Sequence, residues 1–368
     1  MPPTERPQDL HRKTERACTA ARGHAQGLGD ELQKPASDRN PEIIESRFAA
    51  LAKLRAELVR LVRDRALFLG SEDFKKLPLA ERRAAKDTAV FGADPKRMLE
   101  VWNRIMRATR LCAETAPSPL YGEPLPDGSA LAQRLAALDG FLVRMHEFVS
   151  PRDQQDETSE SMGLFKDIPL PVSVFGAHLH AAYRVCLAKD LSAPVRFLDV
   201  GCGGGTKVLL AREYFGCADG LEYDPNYEAA ARKLMQSVAP PSCNIHRGDA
   251  LTFERYNDYD VIYFYQPIAN PELLIELERH ICSTARPGTV LIAPYEGFLQ
   301  RYKDYNCGYV SGRIWLSGTS QQQADALRIK AECMGSVLVP DRADWVTQAG
   351  VLQPLCAALY KNGFYVEK

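Results

Sequence analysis

Three acidic residues and one glycine-rich turn stand at spacings that suit the binding of a polar ligand. Asp199 lies in the short apolar run 195–200, and the sequence Gly-Cys-Gly-Gly-Gly follows directly at 201–205. Glu222 comes 23 residues after Asp199, and Asp249 follows later in the chain. Carboxylates accept hydrogen bonds from hydroxyl and amino groups. Glycines permit positive φ angles and leave the backbone open to a ligand.

The segments around these residues predict the elements that position them. Residues 195–200 are mostly apolar and include β-branched residues, which predicts a buried strand. The stretch 206–215 has helical periodicity, and 218–221 predicts a second short strand that ends at Glu222. A strand, a glycine turn and a helix form the opening of a nucleotide-binding βα unit. An acid about 20 residues further on suits a ribose hydroxyl pair.

This constellation resembles the class I S-adenosylmethionine-dependent methyltransferases. Their first motif runs acid-x-Gly-x-Gly-x-Gly, and the stretch 199–205 matches it. The resemblance implies that the cofactor is S-adenosyl-L-methionine, with the glycine turn facing its methionine part, Glu222 holding the ribose hydroxyls and Asp249 contacting the adenine amine. It implies a cofactor site made of Asp199, Gly201, Cys202, Gly203, Gly205, Glu222, Tyr223, Asp249 and Ala250.

A dinucleotide site is the competing interpretation of the same turn. The glycines at 201–205 do not give the spacing of its fingerprint, Gly-x-Gly-x-x-Gly. The first strand also already carries an acid, Asp199. A turn that binds no ligand is the remaining alternative. The sequence shows no metal-ligand cluster and no Cys-x-x-Cys pair among its ten cysteines, so no metal site is expected.

Strands and helices alternate after the glycine turn, which predicts an α/β fold. The expected fold is a doubly wound, Rossmann-like methyltransferase sheet with ligands at the carboxyl ends of its strands, preceded by an N-terminal all-helical domain. Further strands are predicted at 243–246, 259–265, 289–293, 309–316, 337–339 and 363–367, and a late helix at 345–361.

The first 172 residues are expected to form a tail, a helical domain and a linker. Residues 1–39 are polar and suggest a mobile tail. The cap sequence Asn-Pro-Glu at 40–42 starts a helical N-terminal domain that extends to residue 150, and its apolar stripes leave a homodimer through these helices open. Residues 151–172 are expected to be a linker, and 173–368 the methyltransferase domain.

Candidate catalytic residues come from the edge where the fourth strand ends. Tyr265 and Gln266 would orient the acceptor there, and His178 or His180, on a predicted helix over the cofactor, and Glu296 could take a proton. Tyr-Gln-Pro-Ile at 265–268 does not reproduce the Asn-Pro-Pro-Tyr of base methyltransferases, which disfavours nucleic acid as the substrate.

The expected function is transfer of a methyl group to nitrogen or oxygen on a small molecule or a protein side chain. An aminopropyl or aminocarboxypropyl transferase and a non-catalytic cofactor-binding partner subunit remain alternatives. No run of about 18 apolar residues indicates a membrane span, and the start is not a secretory signal. Together with the scattered cysteines of the chain, which suggest a reducing compartment, these observations favour a cytoplasmic location.

Overall fold

The computed structural model describes residues 7–86, 89–149, 155–161, 163–189, 194–238, 242–335, 349–364 and 366. The chain divides into two compact units. The helical unit comprises Met1–Ala116 and Cys333–Lys368, and the sheet unit comprises Pro117–Glu332.

Helices occur in both units. Among the described residues and in chain order they are α1 (Pro7–Leu32), α2 (Pro41–Leu69), α3 (Glu72–Lys76), α4 (Leu79–Lys86), α5 (Pro95–Glu114), α6 (Ala130–Val149), α7 (Glu157–Ser161), α8 (Val172–Ala188), α9 (Thr206–Ala211), α10 (Pro225–Val238), α11 (Pro271–Thr284), α12 (Glu296–Arg301), α13 (Gln321–Glu332) and α14 (Gln353–Lys361). None of these is both long and apolar enough to cross a membrane.

The sheet unit is built on seven strands in the order β3-β2-β1-β4-β5-β7-β6. They are β1 (Arg196–Val200), β2 (Cys217–Glu222), β3 (Cys243–Arg247), β4 (Val261–Phe264), β5 (Val290–Ile292), β6 (Gly308–Ser311) and β7 (Ile314–Leu316). β1 to β5 are parallel, and β7 is antiparallel to both β5 and β6. The order reverses at β1, as in a doubly wound sheet, so the predicted α/β fold is confirmed.

The predicted strand at 309–316 is in fact a hairpin. β6 and β7 are separated by a turn in which Gly312 has φ +56°, a value that glycine adopts without strain. Sequence pattern alone did not separate the strands because apolar residues flank the turn on both sides.

The expectation of a mobile tail at 1–39 is wrong for residues 7–39, the part of that segment that the structure describes. Residues 7–32 form α1, which packs against α2 and α14. Its inward side consists largely of small residues, among them Ala21 and Ala25, together with Leu28, and all three are fully buried. A stripe of small residues is inconspicuous in the sequence, yet it allows helices to approach closely. A Cβ on Gly29 would lie 3.1 Å from the carbonyl oxygen of Pro354.

The predicted start of the second helix is confirmed. The Asn40 side chain accepts hydrogen bonds from the backbone N–H groups of Glu42 and Ile43 at 2.9 and 3.2 Å, and Pro41 occupies the first helical position. This satisfies donors that a helix start leaves without partners. The buried side of α2 then joins the core of the helical unit through Ile44, Phe48, Leu51, Leu58 and Leu61.

The predicted boundary of the methyltransferase domain needs correction at both ends. Residues 333–368 belong to the helical unit, where α14 packs on α1. At the other end, α6 was expected in the helical domain but belongs to the sheet unit, where Asp139 accepts a hydrogen bond from the backbone N–H of Ser173 at 2.9 Å. Helical periodicity shows that such segments are helices but not which core they join.

Two further expectations concern the end of the chain. The predicted strand at 363–367 is absent at residues 363, 364 and 366, the described part of that segment. Asn362 instead ends α14, and its side-chain amide donates to the carbonyl of Ala358 at 2.8 Å. The predicted strand at 337–339 lies outside the described residues.

We expect the packing of α1 to be measurable. Leu28→Ala removes a fully buried side chain from the core of the helical unit and should lower its unfolding free energy by about 2–5 kcal/mol. Arg12→Ala, at an exposed position of the same helix, is the matched control and should change stability by less than about 0.5 kcal/mol. Urea unfolding followed by circular dichroism measures both. Equal stability of the two variants would contradict the assignment of α1 to this core.

Candidate active site

Three glycines after β1 adopt left-handed backbone conformations. Gly201, Gly203 and Gly205 have φ angles of +77°, +55° and +83°. A Cβ on Gly201 would lie 2.8 Å from the Pro267 side chain, and one on Gly203 would lie 2.2 Å from the Asp167 carboxyl carbon. Glycine is therefore required here for two reasons: the handedness of the turn, and the protein segments that close over it.

Glu222 connects the end of β2 to this turn. Its Oε2 accepts a hydrogen bond from the backbone N–H of Gly203 at 2.7 Å, and its Oε1 accepts from those of Tyr223 and Asp224, each at 2.9 Å. Burial raises the pKa of the carboxyl to about 7, although these donors oppose the rise. An ionised carboxylate offers about four acceptor positions. Glu222 therefore keeps acceptor capacity after its three backbone bonds.

Asp199 is a fully buried carboxyl in β1. Neither of its oxygens has a hydrogen-bond partner among the described residues. Burial raises its pKa to about 7, and the nearby Lys207 ammonium opposes this effect. A buried carboxylate without donors is costly. This carboxyl therefore favours the neutral form until positive charge is brought close to it.

Asp167 lies across the glycine turn, in the segment that was predicted to be a linker. Its Oδ2 accepts from the backbone N–H of Gly204 at 2.8 Å and lies 3.3 Å from Nε2 of His146, while Oδ1 lies 3.6 Å from Nζ of Lys207. Burial favours the neutral acid, but Lys207 and His146 outweigh it and hold the pKa of Asp167 below its usual range. The same arrangement raises the pKa of Lys207, against the effect of its burial.

The rest of this segment is also held in place. Leu164 forms an antiparallel bridge with Ile268, just after β4. The backbone N–H of Asp156 donates to Oδ2 of Asp224, at the end of β2, at 2.8 Å. The linker expectation for 151–172 is therefore wrong at the described residues 155–161 and 163–172. Nothing in the local sequence signals this role, because the partners are tens of residues away.

A cavity of about 250 Å³ opens at the carboxyl edge of the sheet between these elements. Its walls include Asp167 and Lys207, together with eight of the residues predicted for the site: Gly201, Gly203, Glu222, Tyr223, Asp249, Ala250, Tyr265 and Gln266. The three others predicted for the cofactor do not line it: Asp199, Cys202 and Gly205. Cys202 is buried against Gly220, and Gly205 caps α9.

The end of β4 supplies the aromatic side of the cavity. Tyr265 is 36% exposed, and Gln266 has φ +43°, a strained value for a residue with a side chain. Tyr263, two residues before Tyr265, also lines the cavity, and its hydroxyl has no hydrogen-bond partner among the described residues. Its ring packs edge-on against Phe175 of α8 at 5.0 Å. The end of β4 therefore presents the polar groups of Tyr265 and Gln266 to the cavity, next to the packed rings of Tyr263 and Phe175.

His178 and Glu296 do not line this cavity, which corrects the expected placement of the four catalytic candidates around one space. Nδ1 of the buried His178 lies 2.9 Å from the hydroxyl of Tyr121, and burial lowers the pKa of its imidazole to about 4, with Arg313 adding to the effect. The Glu296 side chain is 64% exposed and lies 3.5 Å from Arg313. Both residues therefore gather around Arg313, beside the end of β5.

The sequence analysis did not identify Asp167 and Lys207 as residues of the site. Lys207 had a usable signal, since it follows the glycine turn and would fall near any ligand held there. Asp167 had none, because its contact with Gly204 spans 37 residues. Within the described ranges, no group of three or more His, Cys, Asp or Glu side chains is placed to hold a metal ion.

No family model and no curated protein sequence matches the chain. Solved structures match part of it. An amino pentose methyltransferase from Micromonospora echinaspora, with S-adenosylmethionine bound, is 24% identical with a TM-score of 0.28, over 33% of this chain and 50% of that one. An RNA methyltransferase from Salinibacter ruber, with S-adenosyl-L-homocysteine, is 20% identical with a TM-score of 0.29, over 40% and 91%.

A sugar N-methyltransferase from a Streptoalloteichus species is 19% identical with a TM-score of 0.28, over 50% of this chain and 59% of that one. All three are methyltransferases. The chain spans half the length of the first and 59% of the last.

We expect the turn to tolerate no side chain at Gly203. Gly203→Ala places a methyl group where the Asp167 carboxyl lies and also requires a positive φ from alanine, so the segment around Asp167 must move. The melting temperature of the sheet unit should fall by several degrees, because strain and lost contacts lower its unfolding free energy by about 1–3 kcal/mol. Gly122→Ala, at an open position with ordinary φ, is the control. Unchanged melting of both variants would refute the contact.

Proposed function

We propose that this chain is an S-adenosylmethionine-dependent methyltransferase. The observation that carries the proposal is the pairing of Glu222 with the left-handed glycine turn at Gly203, at the wall of one cavity. An acceptor carboxylate and an exposed backbone turn beside it suit a ligand with ribose hydroxyls and a charged amino-acid tail.

The cofactor would be held by the residues that meet at this edge. Glu222, with its remaining acceptor capacity, would take the ribose hydroxyls, and Asp249 with Ala250 the adenine. Gly201 and Gly203 would face the methionine part. Asp199, Cys202 and Gly205 lie behind the cavity wall, so they would support the turn. Tyr223 would cover one face of the ligand. When bound, the cofactor supplies an electrophilic methyl group.

The chain's own contribution to catalysis is alignment. Methyl transfer is an in-line displacement, which gains most from holding the two reactants at about 3–3.5 Å in one geometry. Tyr265 and Gln266 stand at the cavity wall beside the end of β4, where an acceptor would be oriented. The backbone of Gln266 is strained, and strained residues often lie at functional sites.

The acceptor is proposed to carry its methylated nitrogen or oxygen on a small molecule or a protein side chain. His178 and Glu296 could act on it only if it extends along the sheet edge from β4 to the Arg313 neighbourhood beside β5. Nucleic acid is disfavoured as the acceptor because Tyr-Gln-Pro-Ile at 265–268 does not reproduce the Asn-Pro-Pro-Tyr of base methyltransferases. A cytoplasmic location stays a prediction.

One experiment separates the methyltransferase from its alternatives. The protein is incubated with isotope-labelled S-adenosylmethionine and cell extract, and the label is followed into protein, nucleic-acid and metabolite fractions. A product that gains one methyl group supports the proposal. A larger added group would indicate an aminopropyl or aminocarboxypropyl transferase, and binding without any transfer would indicate a non-catalytic subunit.

We expect cofactor affinity to depend on pH through two carboxyls. The pKa values of Asp199 and Glu222 are both raised to about 7, so each carries a proton at pH 5.5 that an unfolded chain would have lost. This protonation stabilises the fold below about pH 4 and the benefit disappears as the pH rises through 7. A ligand with ammonium and sulfonium charges favours the ionised carboxyls, so its binding should release protons.

Calorimetry in buffers of different ionisation enthalpy measures this release directly. Affinity for S-adenosylmethionine should rise by about tenfold between pH 5.5 and 7.5, since one unit of pKa shift corresponds to a factor of ten. Asp199→Asn should flatten part of this rise. S-adenosylhomocysteine, which lacks the sulfonium charge, should show a smaller one. No binding of either ligand together with tight binding of NAD would refute the proposed cofactor.

The end of β4 is expected to control turnover and not cofactor binding. Tyr265→Phe and Gln266→Gly should lower kcat on the true acceptor by about tenfold or more, with cofactor affinity within about twofold, because lost alignment appears in the rate. Glycine at 266 removes the amide while permitting the observed φ. Glu213→Gln, at an exposed position that does not line the cavity, is the control and should keep its turnover. Full turnover in both loop variants would place the acceptor elsewhere.

A further inference from the structure

Helix α6 turns an apolar stripe towards solvent. The side chains of Leu131, Leu138, Phe141, Met145 and Phe148 are 54%, 49%, 60%, 44% and 80% exposed. A surface helix normally buries such a stripe in its own core. We call these five residues, together with Arg134, the α6 seam.

Polar contacts hold α6 in this rotation. Asp139 accepts from the backbone N–H of Ser173 at 2.9 Å, and Nδ1 of His146 lies 2.9 Å from the hydroxyl of Thr206. His146 also faces Asp167 across 3.3 Å. These residues lie on the side of the helix next to the sheet unit. Turning the seam inward would break all three contacts and leave the backbone N–H of Ser173 and the hydroxyl of Thr206 without these partners.

The seam has the spacing of a coiled coil. Its six members, from residue 131 to residue 148, follow one another at intervals of three, four, three, four and three residues. This is the pattern of the a and d positions in a heptad repeat, which packs one helix against another. The seam is about 26 Å long at 1.5 Å per residue. It therefore fits a straight helical partner better than an irregular surface.

We infer that the α6 seam is a dimer interface, in which α6 of one chain packs antiparallel against α6 of a second copy. A two-fold axis between Asp139 and Gly140 brings each a position of one copy to a d position of the other. Leu138 then meets Phe141 of the second copy, and Leu131 meets its Phe148. A symmetric dimer requires such a self-complementary patch.

The charges on α6 bear on which partner the seam fits. Arg134, within the seam, is placed in this arrangement beside Met145 of the second copy. Within one chain, the Glu147 carboxylate contacts Arg144 at the surface, at 3.4 Å. α6 contains two arginines, one aspartate and one glutamate. This balance does not fit a membrane surface, which attracts helices with excess Lys and Arg.

The area is sufficient for a specific contact. Burying the exposed parts of the five large apolar side chains from both copies removes on the order of 1,000 Å² from water, near the lower end of specific interfaces. The dimer would also brace the site, because α6 carries His146, which contacts both Thr206 and Asp167 at the glycine turn. The interface does not depend on which reaction the site performs.

Analytical ultracentrifugation of the full chain tests the interface. The unchanged protein should sediment as a concentration-dependent dimer. Leu138→Glu and Phe141→Glu place a charge at the centre of the seam and should each raise the dissociation constant by about 100-fold or more. Ala136→Glu, at an exposed position of α6 outside the seam, is the matched control and should remain dimeric. Circular dichroism melting shows whether each variant is folded.

Cysteine cross-linking tests the direction. In the antiparallel arrangement, a mixture of Leu138→Cys and Phe141→Cys chains should form a disulfide-linked dimer under mild oxidation, and each variant alone should form much less. A parallel pair would cross-link each variant alone. A monomer at all concentrations, a dimer that survives both glutamate substitutions while folded, or cross-linking of single variants only would overturn the proposal.

Discussion

A carboxylate removed from water needs donors, and Asp167 finds its donors around the glycine turn. The backbone N–H of Gly204, the ammonium of Lys207 and the imidazole of His146 all approach it. Each comes from a different part of the sheet unit, so this one buried charge fixes the turn, the start of α9 and the side of α6 that faces the unit. Removing one partner of such a buried cluster is expected to cost far more than an exposed ion pair contributes.

The site depends on this arrangement because its two carboxyls, Asp199 and Glu222, are buried away from bulk solvent. Asp199 has no donor among the described residues. The Glu222 oxygens accept hydrogen bonds from the backbone N–H groups of Gly203 and Asp224. Burial raises the pKa of both to about 7. One carboxyl at the cavity wall, Glu222, and one behind it, Asp199, thus respond to added positive charge. The backbone turn beside them is already shaped, which reduces the ordering cost of binding.

The orientation of α6 also depends on polar contacts. Its polar residues Asp139 and His146 bond to its own unit, Leu135 and Leu142 are half-buried, and the five large apolar residues of the α6 seam are exposed. Its rotation follows the polar contacts and not the exposed apolar stripe. A sequence pattern that ranks burial by apolarity would assign the opposite orientation.

The sequence by itself determined the elements whose signals are local. Alternating apolar runs and glycine turns predicted the doubly wound sheet, and Asn40 predicted the start of α2, because strand burial and helix capping involve neighbours in the chain. Only the tertiary structure decided where distant segments attach. α1 and α14 share one core, and Asp167 closes a turn 37 residues away. Small apolar residues and single buried charges leave no periodic trace, since their partners are chosen by the packing of the whole chain.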